Sequence, residues 1–207
     1  MMNELSSPHT IGLLGGTFNP IHNGHLSIAA AAMPLFHLDA VWFLPAAVPP
    51  HKSPEGLASN ADRLSMLELA IAGKPRFAAL PLEFERTGKS YTIDTIRTLH
   101  LLHPDKNFVF IIGADTLTEL HTWHQPLNLL ALVRFVTLAR PGSPVPRPED
   151  LHLPPPWPEK LLADFRAGTP LNISSSNIRA QFAAGQLPAE LIPEPVMHYI
   201  QEHRLYT

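Results

Sequence analysis

Residues 15 to 25 read Gly15-Gly16-Thr17-Phe18-Asn19-Pro20-Ile21-His22-Asn23-Gly24-His25. Paired glycines let a backbone approach a ligand without obstruction by a Cβ. Asn19-Pro20 forces a turn, and a helix starting near Gly24 aims its unpaired N–H groups at the same point. His22 and His25 stand one helical turn apart at that entrance. Two imidazoles so placed can donate to phosphate oxygens and stabilise charge that grows on them during reaction. They could also ligate zinc, but a third protein ligand is needed, and neither an H-E-x-x-H run nor any Cys supplies one. The plain alternative is a strand–turn–helix connection with two surface histidines.

A second chemical run lies late in the chain, Ile173-Ser174-Ser175-Ser176-Asn177-Ile178-Arg179. Three serines opening a helix offer hydroxyls together with free backbone N–H groups at the positive end of the helix dipole. Arg179, one turn further, adds a permanent planar charge. The run reads as a phosphate cradle built without a Walker lysine, or as an ordinary N-cap cluster.

Short apolar runs alternate with longer stretches of 3.6-residue period, the pattern of a mainly parallel sheet covered by helices. Strands are expected at Thr10–Leu14, Ala40–Leu44, Phe77–Leu82, Phe108–Ile112 and Arg134–Leu138, with a short sixth at Leu171–Ile173. Helices are expected at His25–Met33, ending before Pro34, at Asn60–Ala72, closed by Gly73, and at Thr92–His103, ending before Pro104. Two more run from near Ser175 to Gly185 and from about Pro195 to His203. Right-handed crossovers turn this order into an open α/β sheet with helices on both faces, in a single domain. Ligands of such sheets bind at the carboxyl ends of the strands, here just after Leu14, Leu44, Leu82, Ile112 and Leu138.

The chain has 207 residues, 45% apolar and 16% charged, a size and composition that exclude a disordered chain. Its formal net charge of −3 argues against a surface built to hold nucleic acid. No Cys is present, so disulfides, thiolate catalysis and Cys-ligated metal are excluded. The polar N-terminus carries no signal-peptide pattern, and the longest apolar run is short and broken by prolines. A cytoplasmic protein without membrane partners is expected, and a homo-oligomer is left open. Twenty-three prolines are about double the ordinary ~5% share. Many fall in Pro141–Pro158, read as a loop excursion at the rim of the sheet.

The Gly15–His25 run resembles the G-G-[ST]-F-[DN]-P-x-H-x-G-H signature of the nucleotidyltransferase superfamily, and Ile173–Arg179 resembles its second motif, I-S-S-[ST]-x-I-R. More narrowly, the chain is similar to bacterial nicotinate-nucleotide adenylyltransferases over nearly all its length. The segments that carry this are Val48-Pro49-Pro50-His51-Lys52, Ser90-Tyr91-Thr92-Ile93-Asp94-Thr95, Ile111-Ile112-Gly113-Ala114-Asp115-Thr116 and Thr122-Trp123. Two positions depart from the pattern: Asn19 stands where many relatives have Asp, and His124 where they often carry Tyr.

The resemblance implies a Rossmann-like nucleotidyltransferase fold and AMP transfer from ATP to nicotinate mononucleotide in NAD biosynthesis, with Mg²⁺ accompanying the ATP. It implies ATP binding by Gly15, Gly16, Thr17, Phe18, His22 and His25, with the two histidines at the phosphates as the catalytic pair. Gly113 and Asp115 would meet the adenosine, and Ser174, Ser175, Ser176 and Arg179 the triphosphate. His51 and Lys52 would form a phosphate loop. Thr92, Trp123 and the backbone of His124 would hold the mononucleotide, with Trp123 a platform for the electron-poor pyridinium. No protein metal ligand is implied. Rival readings are the same transfer to nicotinamide mononucleotide or phosphopantetheine, and a non-catalytic nucleotide sensor. A dehydrogenase would need G-x-G-x-x-G after a strand, which Gly12-Leu13-Leu14-Gly15-Gly16 does not supply.

Overall fold

A computed structural model describes residues 10–47, 56–86, 90–139, 142–168, 171 and 173–207. Six strands form one sheet: β1 (Thr10–Gly16), β2 (Ala40–Pro45), β3 (Phe77–Ala79), β4 (Asn107–Gly113), β5 (Arg134–Ala139) and β6 (Phe165–Ala167). They lie in the order β3-β2-β1-β4-β5-β6, and every pairing is parallel. The helices are α1 (Asn23–Leu35), α2 (Asn60–Ile71), α3 (Thr92–Leu102), α4 (Ala114–Glu119), α5 (Pro126–Leu132), α6 (Trp157–Ala163), α7 (Ser175–Ala183) and α8 (Glu194–Glu202).

Strand side chains alternate between faces, so each of the four central strands feeds two cores. Leu14, Val41, Phe43, Val109, Ile111 and Val136 pack under α1, α2, α7 and α8, against residues such as Met33, Leu67, Ile178 and Val196. Ile11, Leu13, Phe108, Phe110, Ile112 and Phe135 pack on the other face under α3 to α6, against Ile96, Leu99, Leu117 and Leu161 among others. Burial on both faces is why the strands read as unbroken apolar runs.

Several expected boundaries are corrected. The sixth strand is Phe165–Ala167, pairing with β5 through Thr137 opposite Phe165, and not Leu171–Ile173. The third strand stops at Ala79. One further bond, from the Leu80 N–H to the Phe43 carbonyl, extends the ladder before Pro81, which has no N–H to offer. The first helix runs through Pro34, because a proline in the last turn leaves only the exposed Ala30 carbonyl without its usual donor. Its end is closed by Phe36 N–H on Ala32 O at 3.0 Å. Pro141–Pro158 is not loop throughout. A 3₁₀ turn at Pro148–Leu151 buries Leu151 completely, and α6 begins at Trp157 with Pro158 in its first turn, where a missing N–H costs nothing. Gly73 takes a φ of 74° just past α2, the left-handed cap its position implied.

Candidate active site

The strand order reverses between β1 and β4, and in a parallel sheet that reversal opens a crevice at the carboxyl ends. Leu14 pairs with Ile111, so Gly15 and Gly16 leave β1 beside the stretch that leads to Gly113 and Asp115. A Cβ on Gly16 would meet the Phe18 ring at 2.8 Å. Phe18 itself turns at a φ of 48° and buries its ring, 1% exposed, against Phe43 and the edge of His25. Its side chain therefore supports His25 from below and does not line the crevice. Gly113 caps α4 over open space, and Asp115 is exposed in that helix's first turn.

His22 and His25 form a reciprocal cap at the start of α1. The Nδ1 of His22 accepts from the His25 N–H, and the Nδ1 of His25 accepts from the His22 N–H, each at 3.3 Å. The rings stack at 3.7 Å between centroids, 20° from parallel. With both Nδ1 atoms accepting, each neutral ring carries its proton on Nε2, so both present a donor at the far edge. Gly24 makes room for this, since a Cβ there would sit 3.0 Å from His22 Nδ1. One helix entrance thus uses its own orphan amides to fix two imidazoles.

The second motif docks on the first. Ser175 Oγ donates to Pro20 O at 3.0 Å, and Arg179 Nη1 donates to Asn19 O at 2.9 Å, across more than 150 residues of chain. Ser174 caps α7 by accepting from Asn177 N–H, and Arg179 Nη2 lies 3.4 Å from Ser176 Oγ. The positive end of α7 therefore faces the Asn19–Pro20 turn, a cis peptide. Asn19 is buried and joins three segments: its amide donates to Gly56 O, and its Oδ1 accepts from Ala58 N–H and from Tyr206 Oη.

Across the crevice, Thr92 opens α3, and the preceding Tyr91 ring stacks on His124 at 4.2 Å. That contact sets Thr92 beside the Trp123–His124 segment. Trp123 is half-buried, its ring perpendicular to Phe110 and Phe135. The Trp123 N–H is already committed to Leu120 O at 3.1 Å. The His124 N–H, expected to hold the mononucleotide, has no acceptor among the described residues. His51 and Lys52 lie outside the described residues.

Sequence reasoning missed three side chains beside the site. Arg63 on α2 is fully buried, and burial lowers its pKa from the ordinary guanidinium range. Glu83 is buried as well, and burial raises its carboxyl against hydrogen bonds from Thr95 and Ser90. The Tyr206 phenol is likewise pushed up by burial, opposed by the charges of Arg179 and Arg63. Each stands as a lone residue in sequence, and only a chain packed around it shows its role. A groove of about 540 Å³ lined by Leu130, Val133, Trp157 and Lys160 opens at the amino end of β5, the opposite end from both phosphate motifs.

Residues 13–181 match the family model described as cytidylyltransferase-like. A protein of Geobacillus thermodenitrificans named "Probable nicotinate-nucleotide adenylyltransferase" is 45% identical over 95% of this chain and 85% of its own length. One of the same name from Halalkalibacterium halodurans is 46% identical over 95% and 90%. The chain belongs to the nicotinate-nucleotide adenylyltransferase family. Among solved structures, the Plasmodium falciparum nicotinic acid mononucleotide adenylyltransferase complexed with NaAD superposes with a TM-score of 0.77 over 96% of this chain and 97% of that one. At 21% identity, that likeness speaks for the fold of this nicotinate-nucleotide adenylyltransferase family member. Among the described residues, no helix is long and apolar enough to cross a membrane.

Proposed function

We propose that this chain, as one nucleotidyltransferase domain, transfers AMP from ATP to nicotinate mononucleotide, giving nicotinate adenine dinucleotide and pyrophosphate in the cytoplasm. The observation that carries the reading is the docking of Ser175 and Arg179 on the Asn19–Pro20 turn, beside the capped His22–His25 pair. Together they make a site whose groups are almost all donors or positive dipole ends. A polyanion is what such a site binds.

The acceptor's phosphate is already ionised. One of its oxygens attacks the α-phosphorus in line, and the bond from that phosphorus to the bridging oxygen of pyrophosphate breaks. No protein base is needed, so the protein's work is to position two anions and neutralise developing charge. The Nε2–H groups of His22 and His25 donate to the phosphate oxygens. The Gly15-Gly16-Thr17 backbone lies along the triphosphate, with the Ser174–Ser176 hydroxyls and Arg179 at its far end and His51 and Lys52 as further phosphate contacts. Gly113 and Asp115 take the adenosine. Mg²⁺ accompanying the ATP would supply further charge neutralisation. The imidazole, hydroxyl, amide and guanidinium groups here suit anions, so phosphate oxygens and water would hold the metal.

On the acceptor side, Trp123 stacks on the pyridine, Thr92 stands beside it, and the His124 N–H meets the ring carboxylate. The test is pyrophosphate release from ATP with nicotinate mononucleotide, its amide and phosphopantetheine offered in parallel. Release dependent on the nicotinate acceptor is expected. Release with none of the three would overturn the reading in favour of a nucleotide sensor.

A further inference from the structure

Arg63 has no carboxylate partner among the described residues, yet every one of its five N–H groups is used. Nε donates to Ala58 O, Nη1 to Thr17 O and Ala46 O, and Nη2 to Ala47 O and Asn60 Oδ1, at 2.6 to 3.3 Å. Its face also lies 5.0 Å over the Phe84 ring. Glu83, the residue before Phe84, accepts from Thr95 Oγ1 at 2.8 Å, from Ser90 and from the Ala47 N–H. The buried cation and the buried carboxylate thus grip the same short stretch of backbone from two sides. Ala46 is fixed further by its own N–H on Gly16 O at 2.9 Å.

The geometry of a planar trans peptide explains why the grip is two-sided. The carbonyl and the following N–H point in opposite directions. Turning the Ala46 carbonyl onto Arg63 sends the Ala47 N–H the other way, to Glu83. By the same rule, turning the Thr17 carbonyl onto Arg63 sends the Phe18 N–H to the side away from the guanidinium. Arg63 therefore sets the peptide planes of the turn after β1 and of the exit from β2 together. Glu83 carries that setting to Ser90 and Thr95, which flank Thr92 at the start of α3.

We propose that Arg63 and Glu83 are positioning residues that tie the ATP-phosphate turn to the acceptor helix through the Ala46–Ala47 backbone. This rests on the function proposed above, in which Thr17 serves ATP and Thr92 the mononucleotide. The two substrates sit on different elements, and an error of 1 Å between attacking and attacked atoms costs about 10²-fold in rate. A fork with five donors fixes several carbonyls at once, which an ammonium on a flexible stem cannot do.

The experiment compares Arg63→Lys, Glu83→Gln and the double variant with wild type. Calorimetry gives separate dissociation constants for α,β-methylene-ATP and nicotinate mononucleotide, and pyrophosphate release gives kcat. Arg63→Lys is expected to lower kcat by about 30- to 100-fold and Glu83→Gln by about 10-fold. Both dissociation constants should stay within about threefold of wild type, since each half-site survives. The double variant should be no slower than Arg63→Lys alone, because both residues act through one peptide unit. Folded single variants with kcat within threefold of wild type would overturn the proposal. So would losses confined to binding, or losses that multiply in the double variant. Where Arg63→Lys does not fold, the kcat-against-binding split in near-isosteric Glu83→Gln decides alone. A wild type that releases no pyrophosphate overturns the functional reading instead. The tie is then judged by whether nicotinate mononucleotide tightens α,β-methylene-ATP binding in wild type and not in Glu83→Gln; unchanged binding in wild type overturns it.

Discussion

His22 does two things with one ring, and the structure separates them by atom. Nδ1 caps α1 by accepting from the His25 N–H, while Nε2 is the donor proposed to meet the phosphates. Removing the ring in His22→Ala removes both. Loss of an N-cap costs about 0.5–2 kcal/mol. For a chain of this length each kcal/mol moves Tm by roughly 2–4 °C, so a fall of about 1–8 °C is expected. A fold with about 5–15 kcal/mol in hand stays almost wholly folded after that loss, so lost cap energy alone does not reach the turnover number. Loss of a preorganised donor is larger, about 10²–10³ in kcat, and ATP affinity should change less. The deciding variant is His22→Asn. Asn is among the best N-caps, and its Oδ1 can take the place of Nδ1, but nothing in it reaches the position of Nε2. Thermal unfolding of His22→Asn should recover to within about 2 °C of wild type while kcat stays down by roughly 10². Measured by pyrophosphate release at saturating ATP, a His22→Asn enzyme within fivefold of wild type would refute the assignment of Nε2 to the transition state.

Three further outcomes are expected. Arg179→Ala should weaken ATP binding by at least about 10-fold and acceptor binding much less, because a guanidinium facing phosphate contributes about 1.5–3 kcal/mol; unchanged ATP affinity by calorimetry in a folded variant contradicts this. Tyr206→Phe removes the phenol's bond to Asn19 Oδ1 and should lower stability by about 0.5–1.5 kcal/mol; an unchanged Tm would show that the C-terminus does not brace the Asn19–Pro20 turn. Wild type should prefer nicotinate mononucleotide over its amide by about 10-fold in kcat/KM, because a bond from the His124 N–H to a carboxylate is about 1–1.5 kcal/mol stronger than one to a neutral carbonyl, and Trp123→Ala should slow both while keeping most of that ratio; equal efficiency with acid and amide in the wild type overturns this.

The parts legible in sequence share a cause: they are contiguous. Gly15 to His25 and Ile173 to Arg179 each hold their chemistry within eleven residues or fewer, so residue type and spacing expose them. The central strands are legible because both of their faces are buried. The helices α4, α5 and α6 were not, since six or seven residues cannot show a helical period. The sixth strand was misplaced for a related reason: Phe165–Ala167 is three residues long, pairs with β5 and exposes Arg166 and Ala167, so its pairing is set by β5 and not by its own pattern. Phe18 stands within a ligand-binding motif while its ring packs against Phe43 and the edge of His25, a supporting role that residue type and spacing do not show. Arg63 was invisible because an arginine in an amphipathic helix ordinarily faces water, and only the carbonyls gathered around it show otherwise.

A net charge of −3 and a polyanionic substrate are reconciled by distance. At physiological ionic strength, exposed charges farther apart than about 8 Å are largely screened, so the surface carboxylates contribute little at the crevice. What remains there is local. Arg179 bonds Asn19 O from one side, and Arg63 bonds Thr17 O from beneath with no carboxylate among the described residues to neutralise it. The helix entrances of α1 and α7 add partial positive charge at the same turn. A buried cation without a counterion is costly in isolation, and here it is made tolerable by five carbonyl and amide oxygens. The positive potential this leaves beneath the Thr17 turn is where the triphosphate of the proposed substrate would supply the missing negative charge.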